Sequence, residues 1–290
     1  MYRSGSVGMS RGMIDRLIFA FVLSCAIAGP AARAQDAPTS AAPASAPAAQ
    51  AEIYAVEIVA RYPHDPDAYT QGLLWHDGHL FESTGRVTKS QIRKIDLPTG
   101  KVLARNWYPA GMFGEGMTIW GDELVSLTWR DGTIFRWKLA DLSYAGRHRE
   151  YPFEGWGLTT LGNDLVASDG SSTLRFLDPQ TYEVRRAVTV TLGGRPVPRI
   201  NELEAIDGLI WANQWYSEAI IGIDPHTGEV TRIADLGPMV REVAMRNPDA
   251  VLNGIAHDPQ TGRWFATGKL WPTLFEFRLV PATETDEPAG

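Results

Sequence analysis

The chain has 290 residues, a net charge of −7 and a single cysteine. An acidic balance argues against nucleic acid or an anionic membrane as a partner. One cysteine can form neither an internal disulfide nor a thiolate zinc site.

The first 34 residues are set apart from the fold. Arg3, Arg11 and Arg16 make a basic n-region, Leu17 to Ala28 an apolar core, and Ala32-Arg33-Ala34 a small-residue cleavage site. Together they read as a secretory signal peptide, too short for a comfortable transmembrane helix. A lipoprotein-type site at Cys25 is the minor alternative. Residues 35–51 are almost wholly Ala, Pro, Ser and Gln, a composition that cannot bury a core and predicts a disordered linker. Cleavage after Ala34 removes four Arg and one Asp, which leaves 23 basic against 33 acidic residues. The expected product is a soluble, monomeric protein of the bacterial periplasm or the medium, free of the membrane once the signal is removed.

From residue 52 to 281 short β runs alternate with Gly, Asp and Asn turns, and 3.6-period apolar stripes are absent, so an all-β domain is predicted. Residues 282–290 read as a flexible tail. Within the domain one unit recurs. Units starting at Gln71, Glu115, Trp156, Asn201 and Asn253 are spaced by 44, 41, 45 and 52 residues. Each has a short strand, a turn and an apolar second strand such as Leu124-Val125. Fourteen residues after each start (sixteen in the last unit) stands a second matched set: Gly85, Trp129, Gly170, Trp215 and Lys269. A third strand follows, and a fourth in the first four units. Four-stranded units of this length are the signature of propeller blades, so a five-bladed β-propeller is expected. The last unit ends after three strands, and Tyr54 to Ala60 is the candidate for its fourth, closing the ring. A β-sandwich has similar strand content but no reason to repeat its chemistry.

In a propeller the two matched sets converge at one mouth of the channel. Glu115 is the only acid among the unit starts and lies between Gly114 and Gly116. The two glycines are expected to leave room for a ligand beside it. Lysine is scarce in this chain, which singles out Lys269.

Several motifs resemble one family. Tyr69-Thr70-Gln71-Gly72, Glu82-Ser83-Thr84-Gly85, Phe113-Gly114-Glu115-Gly116, Leu127-Thr128-Trp129, Asn201-Glu202-Leu203-Glu204, Trp211-Ala212-Asn213 with Trp215, Asn253-Gly254-Ile255-Ala256 and Thr267-Gly268-Lys269-Leu270-Trp271-Pro272 are similar to the plant and bacterial type of glutaminyl-peptide cyclotransferase. The resemblance spans roughly residues 53–280. It implies a five-bladed propeller that converts N-terminal glutamine of peptides to pyroglutamate with release of ammonia, without metal or cofactor. Tyr69 departs from the phenylalanine common there, which bears on peptide preference.

That reaction sets three tasks. The substrate's α-amine must lose a proton as it attacks its own γ-carboxamide, the leaving nitrogen must gain one, and the carbonyl oxygen needs donors. A carboxylate among indoles has its pKa raised towards the working pH, which suits a proton shuttle. The expected roles are therefore Glu115 and Lys269 as catalytic groups, with Gln71, Trp129, Trp156, Asn201, Trp215, Tyr69, Phe113 and Asn253 as substrate-binding residues. Lys269, Gln71 and Asn201 are all possible donors to the oxygen. Asn253 has the alternative of bonding the channel wall.

Other residues have plainer readings. Trp75, Trp107, Trp120 and Trp137 are expected in the core, Glu202 and Glu204 as structural or rim acids, Asp169 as a turn acid. Glu82 is balanced between orienting neighbours and satisfying backbone groups. His76 and His79 flank a turn and no histidine pattern suggests a metal. Asp65-Pro66-Asp67 is read as a turn, with calcium as the alternative. Two rival functions stay open: a non-catalytic exported propeller that binds a peptide or small ligand, and a metal-dependent propeller lactonase, which needs several oxygen ligands on a cation.

Overall fold

A computed structural model describes residues 50–282. The signal peptide, nearly all of the linker and nearly all of the C-terminal tail lie outside the described residues.

Strand β1 (Glu52–Pro63) comes first and stands apart from the unit that follows it. The first unit is β2 (Thr70–His76), β3 (His79–Thr84), β4 (Gln91–Asp96) and β5 (Lys101–Trp107), joined in sequence order into an antiparallel sheet. The next two repeat this plan with β6 (Gly114–Trp120), β7 (Glu123–Thr128), β8 (Thr133–Lys138) and β9 (Tyr144–Arg149), then β10 (Leu158–Leu161), β11 (Asp164–Ala167), β12 (Thr173–Leu177) and β13 (Val184–Thr189). A two-stranded hairpin, β14 (Thr191–Leu192) and β15 (Arg195–Pro196), leads to β16 (Ile200–Ile206), β17 (Leu209–Gln214), β18 (Ala219–Ile223) and β19 (Val230–Asp235). After the helix α1 (Gly237–Val243) come β20 (Leu252–Asp258), β21 (Arg263–Gly268) and β22 (Thr273–Pro281).

Strand β1 lies along β22 in antiparallel register from Tyr54↔Pro281 to Pro63↔Thr273, as the sequence led one to expect. Its start also pairs in parallel with β19, so the last two units join as one eight-stranded sheet. This covers two strand edges that would otherwise be open to other chains.

Inner strands touch in a circle: β2 meets β6, β6 meets β10, β10 meets β16, β16 meets β20, and β20 meets β2. The apolar core is divided in the same way. One cluster packs Phe81 and Ile92 against Phe135 and Trp137, the next Leu127 and Ile134 against Leu165 and Leu177, and the rest continue around to Leu80 and Ile95 against Phe265. Alternation within each strand puts one face on each neighbour, so both faces pack and most inner strands are buried over most of their length. The architecture is all-β and propeller-like.

One tryptophan departs from expectation. Trp137 is buried, but Trp107 is 48% exposed because it ends the outermost strand of its sheet on the solvent-facing phase. Trp75 and Trp120 are half-buried.

Candidate active site

Bulges build the site. In four of the units the register of the first strand shifts by one residue at the matched position: between Thr70 and Gly72, Gly114 and Met117, Ile200 and Leu203, and Leu252 and Ile255. The extra residues are those at and beside Gln71, Glu115, Asn201 and Asn253. A bulge breaks the strict in-out alternation and re-aims a side chain, which is how a buried inner strand turns a polar group towards the mouth. Trp156 reaches the same place differently, from the loop just before β10.

A cavity of about 220 Å³ is lined by Tyr69, Gln71, Phe113, Glu115, Trp129, Trp156, Asn201, Trp215 and Lys269. Its polar members are buried, with Gln71, Glu115, Asn201 and Lys269 each no more than 5% exposed. Its aromatic members are half-buried. The cavity therefore has a polar floor and aromatic walls. Asn253 is not part of the lining: its Nδ2 donates to the Thr70 carbonyl at 3.0 Å, so it fixes the residue before Gln71.

Across the floor runs a chain of hydrogen bonds. Lys269 Nζ donates to Gln71 Oε1 at 2.6 Å, and Gln71 Nε2 donates to Glu115 Oε1 at 3.2 Å. Burial pushes the Glu115 carboxyl well above its ordinary value; Lys269 opposes this and the charge of Glu154 adds to it. Burial also pulls Lys269 down to about 8, against the attraction of Glu115 and Asp249. Lys269 Nζ lies 4.8 Å from the centre of the Tyr69 ring, which supports the cation on its π face. Asn201 lines the cavity, and its Oδ1 is buried with no partner in the protein.

The glycines beside Glu115 have a different use from the expected one. A Cβ on Gly116 would fall 2.5 Å from Leu158 N, and one on Gly114 would fall 2.6 Å from the Tyr108 ring. They admit the neighbouring strand and Tyr108, not a ligand. The glycines that shape the cavity are Gly85 and Gly170, where a Cβ would meet the rings of Phe113 at 2.3 Å and Trp156 at 2.6 Å. In the second matched set Gly85 and Gly170 thus each leave room for a ring: that of Phe113, two residues before Glu115, and that of Trp156 from the first set.

Three acids outside the cavity have structural settings. Glu82 is fully buried and accepts from Thr70 Oγ1 and Arg93 Nε, each at 2.6 Å, with His64 Nε2 at 3.2 Å. Burial works against ionisation of Glu82, but the Arg93 charge and the bonds from His64 and Thr70 outweigh it and hold the carboxyl down to about 2. Arg93 also holds Asp65, whose other oxygen accepts from Asp67 N in a turn. Glu202 accepts from the backbone N–H of Leu73 and Ile255 and so ties β2 to β20.

Sequence reasoning missed Glu154. Its Oε2 accepts from Trp129 Nε1 at 2.9 Å and Trp156 Nε1 at 3.1 Å, and its Oε1 accepts from Arg130 Nε at 2.8 Å. Its place two residues before a matched tryptophan was the only available signal.

The profile of the glutamine cyclotransferase family matches residues 30–279. The chain belongs to this family. A glutaminyl-peptide cyclotransferase of Arabidopsis thaliana is 43% identical over 235 residues, covering 80% of this chain and 73% of the plant protein. The crystal structure of a Myxococcus xanthus glutaminyl cyclase superposes with a TM-score of 0.77 at 41% identity, over 81% of this chain and 100% of that one. The family match over residues 30–279 includes every residue that lines the cavity, and membership of the glutamine cyclotransferase family agrees with the resemblance carried by the Gln71, Glu115, Asn201 and Lys269 motifs.

Proposed function

We propose that the protein is an exported glutaminyl-peptide cyclotransferase acting on peptides and proteins with N-terminal glutamine. The observation that carries this reading is the cavity floor: Glu115, with a raised affinity for protons, is linked through Gln71 to Lys269 inside aromatic walls. A cavity of about 220 Å³ is below the size of typical drug-like sites and suits one side chain, with the rest of the peptide outside.

In the proposed mechanism the α-amine nitrogen attacks the γ-carboxamide carbon and a five-membered ring forms. Glu115 takes a proton from that nitrogen and gives it to the departing nitrogen; the C–N bond breaks, and ammonia leaves. Gln71 is already occupied at both ends by Lys269 and Glu115. Lys269, whose ammonium has further N–H groups besides the one given to Gln71, is proposed as the donor to the oxyanion, and Asn201 Oδ1 as the acceptor of a substrate N–H. Trp129, Trp156, Trp215, Tyr69 and Phe113 pack around the glutamine methylenes and exclude water.

The reaction is proposed to need no metal or cofactor. Glu115 is the only acid among the described residues lining the cavity, and an ammonium linked to it opposes a bound cation. The fold supporting the site is proposed to be a five-bladed propeller over 52–281, closed by β1. The circle of inner-strand contacts and the division of the core between neighbouring units support that count. Cleavage of residues 1–34, a linker over 35–51, a tail over 282–290, periplasmic or secreted location and a monomeric state complete the proposal.

The test is ammonia release from a glutamine-initiated peptide, with and without a chelator. Equal rates support the proposal. Loss with chelator contradicts metal independence, and no ammonia under either condition makes the protein a binder.

A further inference from the structure

The cavity walls consist of two aromatic arms. Tyr69, Phe113 and Trp129 follow one another with ring centroids 6.2 and 5.7 Å apart. Trp156 and Trp215 form the other arm, at 5.5 Å, and the exposed Tyr216, outside the lining, lies 4.4 Å from the Trp215 ring. The arms come from different units, and their near ends are Trp129, which follows β7, and Trp156, which precedes β10. Glu154 spans these ends, because a single oxygen accepts both indole N–H groups.

We propose that Glu154 is a positioning residue for the cyclisation, holding Trp129 and Trp156 at the separation that grips the substrate's glutamine side chain. The inference rests on the cyclase reading and adds a residue to it. An ordinary rim salt bridge would leave the indoles free. Here Arg130 takes only the oxygen that the indoles do not use, and its guanidinium carbon lies 3.9 Å from the centre of the Trp129 ring. The carboxylate, 37% exposed on its side chain, is thus clamped by three donors from residues 129, 130 and 156. Although burial works against it, bonds from the indoles and Arg130 hold Glu154 below its ordinary pKa, so it stays charged at neutral pH.

That charge has a second consequence. The titratable groups whose charges bear on Glu115 are Lys269, which favours its ionised form, and Glu154, which opposes it; Tyr69 and Tyr108 feel the charge of Glu115 in turn. Removing the Glu154 charge makes Glu115 easier to ionise. The base form then persists to lower pH, and the acid limb of kcat moves down.

The experiment compares wild type, E154Q and E154D on a glutamine-initiated tripeptide across pH, following ammonia. Glutamine offers one acceptor and turns an amide N–H towards the remaining donors, so KM rises about tenfold while kcat at optimum pH changes by less than about threefold. Its acid limb shifts down. Aspartate keeps the charge but is one methylene short, so KM rises and the acid limb stays in place. Wild-type KM and an unmoved limb in E154Q overturn the proposal. Where thermal unfolding shows E154Q to be poorly folded, R130Q decides: releasing one oxygen of Glu154 raises KM about two- to threefold, and an unchanged KM overturns it. Failure of the wild type to release ammonia removes the cyclase reading along with this one. Wild-type activity with an indifferent E154Q removes the role of Glu154 alone.

Discussion

Glu82 and Glu115 are both buried acids, on β3 and β6, yet their surroundings lead to opposite chemistry. Glu82 is surrounded by Thr70, Arg93 and His64 and is held down to about 2, so it is ionised at neutral pH and well into the acid range. Glu115 has one neutral amide donor at 3.2 Å and a lysine one residue removed, and burial drives its carboxyl well up. A carboxylate with a full set of donors is a structural charge. One left short of donors is able to accept a proton and release it again, which a shuttle requires. The two are linked in the chain: Thr70, bonded to Glu82, precedes Gln71, bonded to Glu115. The inert site thereby fixes the reactive one.

The largest effect expected from breaking this contrast is at Glu115. E115Q retains the acceptor for Gln71 but cannot carry a proton, so kcat falls by about 10²–10⁴ with thermal stability unchanged, measured by ammonia release and by unfolding. Next is Glu82. E82Q leaves the buried Arg93 with only the partly exposed Asp65 as a charge partner and lowers stability by up to about 3–5 kcal/mol in denaturant unfolding. The sign of its pH dependence follows from a folded-state pKa held below the ordinary 4.5. The stabilisation from Glu82 is present above 4.5 and is lost as pH falls through about 2. Wild type therefore loses stability over this range more steeply than E82Q.

Lys269 gives a smaller effect. If its ammonium serves the oxyanion, kcat falls as pH rises through about 8, the value to which burial lowers it. K269M removes that limb and lowers the plateau by about a hundredfold; a limb that survives in K269M belongs to another group. The smallest effect is at Glu202, a buried acid satisfied only by backbone. E202Q presents an amide N–H to one of the two N–H donors, and stability falls by about 1–3 kcal/mol with kcat unchanged.

Much of the fold could be read from the chain because repetition exposes position. Spacing alone aligned Gln71, Glu115, Trp156 and Asn201, and all four line one cavity. The pairing of Tyr54 to Ala60 with the last strand followed from counting strands per unit. What remained hidden depends on relations between strands. A bulge is a mismatch of register, so nothing in Phe113-Gly114-Glu115-Gly116 declares it. Gly114 and Gly116 looked like space for a ligand, but the space is filled by Tyr108 and β10. Asn253 shares the matched position and the bulge, yet its amide is taken by the Thr70 carbonyl. Glu154 has no counterpart in the other units, and a repeat cannot reveal a residue that occurs once. Trp107 misled because its size suggests the core whereas its strand phase faces solvent.

The most direct test of the contrast is the titration of the two carboxyls themselves. In protein labelled with ¹³C at the glutamate carboxyls, the signals lost in E115Q and in E82Q assign the two groups, and their shifts are followed against pH. The expected midpoint for Glu115 lies well above the ordinary 4.5, and the Glu82 signal is still that of an ionised carboxylate at pH 4.5. A Glu115 midpoint at or below 4.5 would contradict the claim that burial, with too few donors, makes it the proton carrier.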